Sequence, residues 1–249
     1  MNNKSNISLL LKKYLVENKK MITYYLCGFI LLCIGIGLWF GYLGVGSESE
    51  LSWYVVLGTI GLYVLASLMF SQLKSKQGII NSIMTPATVQ AKFWPRLLTV
   101  IPVGGLLVFG GFYVTDLFRV LMIKISTDIW VNFADPFTFV SNKDYLLMLC
   151  ALFFSGSIFS VMLYFLGSAL WPRLSFVKTM IVIFALQTVL SMSLGFLLRL
   201  NLGNLSWMNS DAFIYSLAGF LFLLACLAAY LAYRRFRSYT LATNTFGKK

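Results

Sequence analysis

Met21-Ile-Thr-Tyr-Tyr-Leu-Cys-Gly-Phe-Ile-Leu-Leu-Cys-Ile-Gly-Ile-Gly-Leu-Trp-Phe-Gly-Tyr-Leu-Gly44 runs for 24 residues without a charge, directly behind Lys19-Lys20. A helix needs about 20 apolar residues to cross hydrocarbon, so this run is long enough to span a bilayer. Its apolarity is continuous rather than alternating, which predicts a helix and not a barrel strand. Five further runs repeat the pattern: Leu51 to Leu73, Leu97 to Met122, Tyr145 to Trp171, Thr179 to Leu198 and Asp211 to Tyr233. Backbone polar groups in lipid must bond within their own segment, so six helices are the expected outcome. The 249 residues are 59% hydrophobic and 11% charged, where a soluble domain carries about a quarter charged residues. The sequence predicts an all-α polytopic membrane protein, with one membrane domain over residues 21–233 and no sizeable soluble domain.

Charge sets the orientation. Sixteen of the 20 lysines and arginines fall in the first stretch, the last stretch and every second connection, and only Arg119, Lys124, Lys143 and Arg199 lie elsewhere. Among the 8 acids, Glu17 alone lies with the sixteen. Basic residues flanking spans are retained in the cytoplasm, so both termini and the loop 74–96 are expected inside, and the basic tail 234–249 with them. This topology, together with anionic lipid headgroups, accounts for the net charge of +12. Membrane lipids are therefore an expected partner and nucleic acid is not.

Cys27, Cys33, Cys150 and Cys226 all fall inside apolar runs without a CxxC spacing and are expected to pack as small apolar residues. No cleavable leader is expected ahead of the first span, because the run is too long and no small-residue cleavage site follows it. With His at 0, HExxH zinc sites and Ser-His nucleophiles are excluded. Asp116 is the one carboxylate well within a run, so an intramembrane acid pair lacks its second member. No catalytic, metal or cofactor site is expected. The chain has no GxxxxGK[ST] phosphate loop, so nucleotide chemistry would have to sit on another subunit.

Three stretches do not span. Ile7 to Lys20 carries Leu10, Leu11, Tyr14 and Leu15 at helical spacing beside Lys12, Lys13, Lys19 and Lys20, the composition of an N-terminal interfacial amphipathic helix. Between spans two and three, Ile79, Ile80, Ile83 and Met84 form an apolar face that Pro86 ends, and Val89 and Phe93 fall on a second turn. The expectation is two short helices with a kink between them. Apolar residues on a cytoplasmic loop need cover, and a partner protein is the expected one, contacted by Ile79, Ile80, Ile83, Met84, Pro86 and Phe93 with Lys92 and Arg96 at the edge. The outer connection 123–144 reads as a short helix on the outer leaflet with a turn at Asp135-Pro136.

Polar and small residues inside the spans complete the pattern. Asp116 and Arg119 are three apart on one face and can pair, although Arg119 and Arg199 are expected to snorkel to the outer interface. Gln187, mid-span, is expected to bond a neighbouring helix. Gly37-Leu-Trp-Phe-Gly41 is a GxxxG that lets backbones approach. Pro102 with Gly104, Gly105, Gly110 and Gly111 predicts a bend in span three.

The stretch Met84-Thr-Pro-Ala-Thr-Val-Gln-Ala-Lys-Phe-Trp-Pro-Arg96 and the stretch Leu166-Gly-Ser-Ala-Leu-Trp-Pro-Arg-Leu-Ser-Phe-Val-Lys178-Thr179 resemble, in order and position, small six-span bacterial permeases of the type-2 ABC exporter superfamily. The basic N-terminal helix and Arg-rich C-terminus extend the resemblance along most of the chain. Gln90 and Ala91 stand where the family has an acidic residue, and the connection Arg199 to Ser210 is shorter than in many of its members. The resemblance implies a subunit of the bacterial inner membrane that pairs with a second copy or a similar subunit. It also implies that loop 74–96 docks as a coupling helix on a separate ABC-type ATPase, which binds the ATP. A regulatory or immunity membrane protein that binds a partner and transports nothing is the alternative class.

Overall fold

A computed structural model describes residues 3–44, 46–84, 87–134, 143–199 and 211–246. Their regular structure is all helix, with no strand among them. In chain order the helices are α1 (Asn3–Glu17), α2 (Lys19–Leu43), α3 (Ser47–Leu68), α4 (Lys76–Met84), α5 (Val89–Gly105), α6 (Gly111–Thr127), α7 (Lys143–Leu170), α8 (Ser175–Arg199) and α9 (Asp211–Phe246). A 3-10 turn, Ser71–Lys74, precedes α4, and a π-helical turn, Leu106–Gly110, joins α5 to α6. Among the described residues, three helices are long and apolar enough to cross a membrane: Lys19–Leu43, Val89–Thr127 and Ile214–Tyr239. The apolar helices Trp53–Leu68, Phe154–Leu170 and Ser175–Val189 are shorter over the described residues.

The chain forms two compact units, Met1–Leu65 with Ala87–Ser141, and Ala66–Pro86 with Asn142–Lys249. In the first unit α2 packs on α6 and α1 packs on α5. Gly37 and Gly41 make the α2–α6 approach possible. A Cβ on Gly37 would run into the Thr115 carbonyl, and one on Gly41 would stand 2.7 Å from the Arg119 carbonyl. Thr115, Arg119 and Met122 lie along one face of α6, so the GxxxG of α2 meets a continuous ridge.

The bend anticipated around Pro102 takes the form of the π turn that begins four residues later. Within this turn the Leu107 and Val108 carbonyls accept from the Gly111 N–H. Tyr54 on α3 adds a second donor, its hydroxyl donating toward Leu107 O at 2.7 Å and Val108 O at 2.8 Å. On the same helix the Gly61 carbonyl accepts from the Tyr25 hydroxyl of α2.

In the second unit α7 and α9 pack along their lengths. The buried residues of α9 include Ala218, Ala225, Ala228 and Ala232, a small-residue stripe at helical spacing that admits the bulkier Val161, Tyr164 and Phe165 of α7 into the unit's core. Phe70, just after α3, closes this core against Phe165 and Phe236 at centroid distances of 5.0 and 5.5 Å.

Three expectations about the connections change. The second half of the loop 74–96 is no separate short helix. α5 begins at Val89, capped by Thr88, whose Oγ1 accepts from Ala91 N–H at 3.3 Å, and runs on through Pro95 into span three. The outer connection forms no helix at 128–134. α6 ends at Thr127 with Asp128 in the left-handed region (φ 58°), and the following residues are irregular; the turn expected at Asp135-Pro136 lies outside the described residues. The segment expected as a tail from residue 234 continues α9 without a break to Phe246.

Candidate functional site

The polar centre of the first unit is built on α6. Asp116 and Arg119 are 0% and 1% exposed, and the carboxylate takes both ends of the guanidinium: Oδ1 accepts from Nε at 3.0 Å and from Nη2 at 2.6 Å. The second carboxylate oxygen accepts from Ala134 N–H at 2.8 Å, and Arg119 Nη2 also donates to the Asn132 carbonyl at 3.3 Å. The pair is thus a clasp that ties the segment after α6 back onto α6. Arg119 does not snorkel as expected, for a geometric reason. Side chains on a helix tilt toward its N-terminus, so Arg119 leans back toward Asp116 and away from the nearer, C-terminal end of the helix. Two charges sealed from water hold one another only with such full hydrogen bonding. With its oxygens engaged in this way, Asp116 acts as a structural anchor and not as a group facing a path. Beyond it Lys124 Nζ stands 3.8 Å from the centre of the Trp130 ring, a cation–π contact on the same connection.

Gln187 and Arg199 are not brought to this centre. Gln187 is exposed on α8, whose buried residues Ser175 and Thr179 lie at its start while Ile181, Phe184, Leu186 and Val189 are exposed. The expected bond to a neighbouring helix is not made among the described residues. Arg199 is the last residue of α8, and its side chain lies outside the described residues.

The loop residues divide in two. α4 is a true helix with its own start signal: Gly78 N–H donates to Ser75 Oγ at 3.1 Å, the arrangement of an N-cap. Gly78 is also where α4 folds back on the preceding turn, because a Cβ there would collide with the Gln72 carbonyl. Ile80 and Met84, one turn apart on the same face, are 51% and 77% exposed, and Ile79 is half-buried. The Ile83 side chain and Pro86 lie outside the described residues.

Phe93 and Arg96 depart from expectation. Both are only 4% exposed, on the face of α5 that receives α1. The cause is the continuity of α5: Phe93, Arg96, Val100, Val103 and Leu107 form one buried stripe at steps of three and four residues. Phe93 and Arg96 are therefore packing residues of the first unit, and Lys92 is half-buried beside them. Arg96 sits 5.9 Å over the Tyr14 ring of α1. Burial raises the Tyr14 hydroxyl to a pKa of about 12, with the Arg96 charge opposing the rise, so Tyr14 stays neutral at any physiological pH. At the end of the same helix, the Tyr14 carbonyl accepts from the Asn18 side-chain amide at 2.9 Å and from the Asn18 backbone N–H at 3.0 Å, which fixes the corner where α1 passes into α2.

The roles of Tyr14, Tyr54 and Ser75 escaped the sequence reading. Ser75 carried a signal, since a serine three residues before a glycine and an apolar run is a cap pattern. Tyr54 carried none beyond its place in a run. No protein-family model, curated protein or solved structure matches this chain.

Proposed function

We propose that the chain is the membrane-spanning permease subunit of an ATP-driven ABC-type exporter in a bacterial inner membrane. All six apolar runs cross the bilayer, both termini are cytoplasmic, α1 lies in the inner interface, and ATP is hydrolysed on a separate subunit. The observation that carries the reading is α4. It is a short capped helix in the connection that the basic residues place inside, and it offers Ile80 and Met84 outward. An apolar face on a cytoplasmic loop fits a groove on a partner. The coupling surface is narrower than the sequence suggested: α4 supplies it, while Phe93 and Arg96 are packing residues of the first unit. The exposed apolar side of α8, with Gln187 among Phe184, Leu186 and Val189, suits a second permease subunit, where the Gln187 amide gains a partner helix.

Topology is tested first. A membrane-impermeant thiol reagent applied from outside, on a background lacking the native cysteines, should label Ser47→Cys and miss Ser75→Cys. The reverse pattern would remove the topology and the coupling helix together.

The coupling helix is tested by Ile80→Asp with Met84→Asp. Burying such side chains contributes about 1.5–3 kcal/mol each, so the double variant should bind its ATPase about 100-fold more weakly or worse. Co-purification of the tagged subunit with its ATPase in detergent reads this, with monodispersity as the check on folding. An unchanged complex, or a wild-type chain that never brings down an ATPase, would transfer the assignment to a non-transporting regulatory or immunity membrane protein.

A further inference from the structure

The turn between α7 and α8 lines an open cavity at the surface of the second unit, where Lys74, Arg173 and Lys178 are all exposed. α7 ends at Leu170, Pro172 denies the chain another helical N–H, Leu174 reverses the backbone at φ 55°, and α8 begins at Ser175. Leu170, Trp171, Pro172 and Arg173 from this turn join Lys178 of α8, Leu73 and Lys74 of the 3-10 turn, and Tyr239 of α9 around a volume of about 320 Å3. That lies at the low end of the roughly 300–1,000 Å3 of small-molecule sites, and is about ten times the ~30 Å3 share of one water. The space suits a polar headgroup better than a bare ion.

Its charge is one-sided. Lys74, Arg173 and Lys178 line it and no acid does. The side-chain carboxylates of this unit are Asp144 and Asp211, at the opposite end of α7 and at the start of α9. Asp144 stands 26 residues along α7 from Leu170. At 1.5 Å per residue that is roughly 39 Å, several times the ~8–10 Å screening length of physiological salt. Lys178 also sits in the first turn of α8, which holds no acidic residue and where the helix dipole favours an anion over a cation. Three cations lining one cavity, with no carboxylate among the described residues of its wall, favour an anion between them. The remaining wall, Leu73, Leu170, Trp171 and Pro172, is largely apolar and has no use for a fully hydrated solute.

We infer that this cavity binds the phosphate headgroup of an anionic phospholipid. Lys74, Arg173 and Lys178 engage the phosphodiester, and the apolar wall receives the glycerol and the first acyl carbons. Basic pockets between helices at a membrane face recognise anionic headgroups in this way, and Trp171 and Tyr239 are of the residue types that settle at that level. The inference rests on the chain being embedded in a membrane and not on what, if anything, it transports.

The test is native mass spectrometry of the detergent-purified chain with phosphatidylglycerol or phosphatidylcholine added. Phosphatidylglycerol should be retained and phosphatidylcholine largely lost. Arg173→Gln with Lys178→Gln should weaken phosphatidylglycerol binding about 30-fold, since each cation near an anionic headgroup is worth roughly a fivefold factor. Lys74→Gln alone, at an exposed side chain, should weaken it several-fold and gives a reading even if the double variant folds poorly. Millimolar glycerol 3-phosphate should leave the lipid in place. Equal retention of the two lipids, or retention unaltered in the variants, would overturn the site. Displacement by glycerol 3-phosphate would assign it to a soluble phosphate instead. Failure of the membrane reading itself would be seen earlier, as a chain extracted from cells without detergent.

Discussion

Asp116→Ala should destabilise the protein by about 3–5 kcal/mol, because it strands the buried Arg119 guanidinium without its carboxylate. Ala134 N–H loses its acceptor at the same time, so the segment after α6 should loosen together with the helix. The decisive comparison is with Asp116→Leu combined with Arg119→Met. Removing both charges leaves no buried charge unpaired, only the neutral Ala134 N–H and Asn132 carbonyl without these partners, and apolar replacements of a buried pair are often neutral or stabilising. The double variant should melt close to wild type, well above either single one. Melting curves of wild type, Asp116→Leu, Arg119→Met and the double variant in one detergent close the cycle and isolate the coupling between the two side chains. A single Asp116→Ala that melts like wild type would mean the pair is open to water. A double variant as damaged as the sum of the singles would mean that the bonds to Asn132 and Ala134, and not the ion pair, hold the site.

The clasp also marks where sequence pattern stops being enough. The spacing of Asp116 and Arg119 made a pair possible, but an interfacial arginine has the same spacing. What decided between them was the tilt of side chains toward the helix N-terminus, together with the return of the chain at 132–134, a contact across 18 residues that no local pattern encodes.

The loop 74–96 divides in the same manner. Its first half was legible, since Ile79, Ile80, Ile83 and Met84 recur at helical spacing ahead of Pro86 and α4 forms over them. Its second half was misjudged because Trp94-Pro95 looks like the end of an element. Pro95 lies inside α5 and the helix carries through it. The signal was present in the stripe Phe93, Arg96, Val100, Val103 and Leu107, which keeps one helical period across the proline. Arginine in that stripe disguised it, because a charged residue at a core position is read as an edge.

The helical class, three of the long apolar helices and the glycine motif came through more directly, because continuous apolarity and GxxxG are local. The π turn did not. Proline and glycines announce irregularity but not its kind, and the choice of a π turn goes together with the Tyr54 hydroxyl that reaches its carbonyls from another helix.

The sharpest test of the α2–α6 packing uses two glycines of the same helix. Gly37→Ala places a methyl against the Thr115 carbonyl, a backbone atom that cannot turn aside, whereas a Cβ on Gly35 meets nothing within 4 Å among the described residues. Gly35→Ala should be neutral or stabilising by up to about 1 kcal/mol, since glycine within a helix costs roughly that much relative to alanine. Gly37→Ala gains the same propensity but has to push α2 and α6 apart, and overpacking of this kind costs about 1–3 kcal/mol. Gly37→Leu with Gly41→Leu should go further and separate the two helices, because the second side chain meets Met122 and the Arg119 carbonyl. That shift would reach the Asp116 clasp through the backbone of Arg119 itself. Melting temperatures in detergent should therefore order as Gly35→Ala at or above wild type, then Gly37→Ala, then the double leucine variant, with the last failing to give a monodisperse species. If Gly35→Ala and Gly37→Ala shift the melt equally, the close approach of α2 to α6 is not what stabilises the first unit, and the GxxxG is an accident of an apolar sequence.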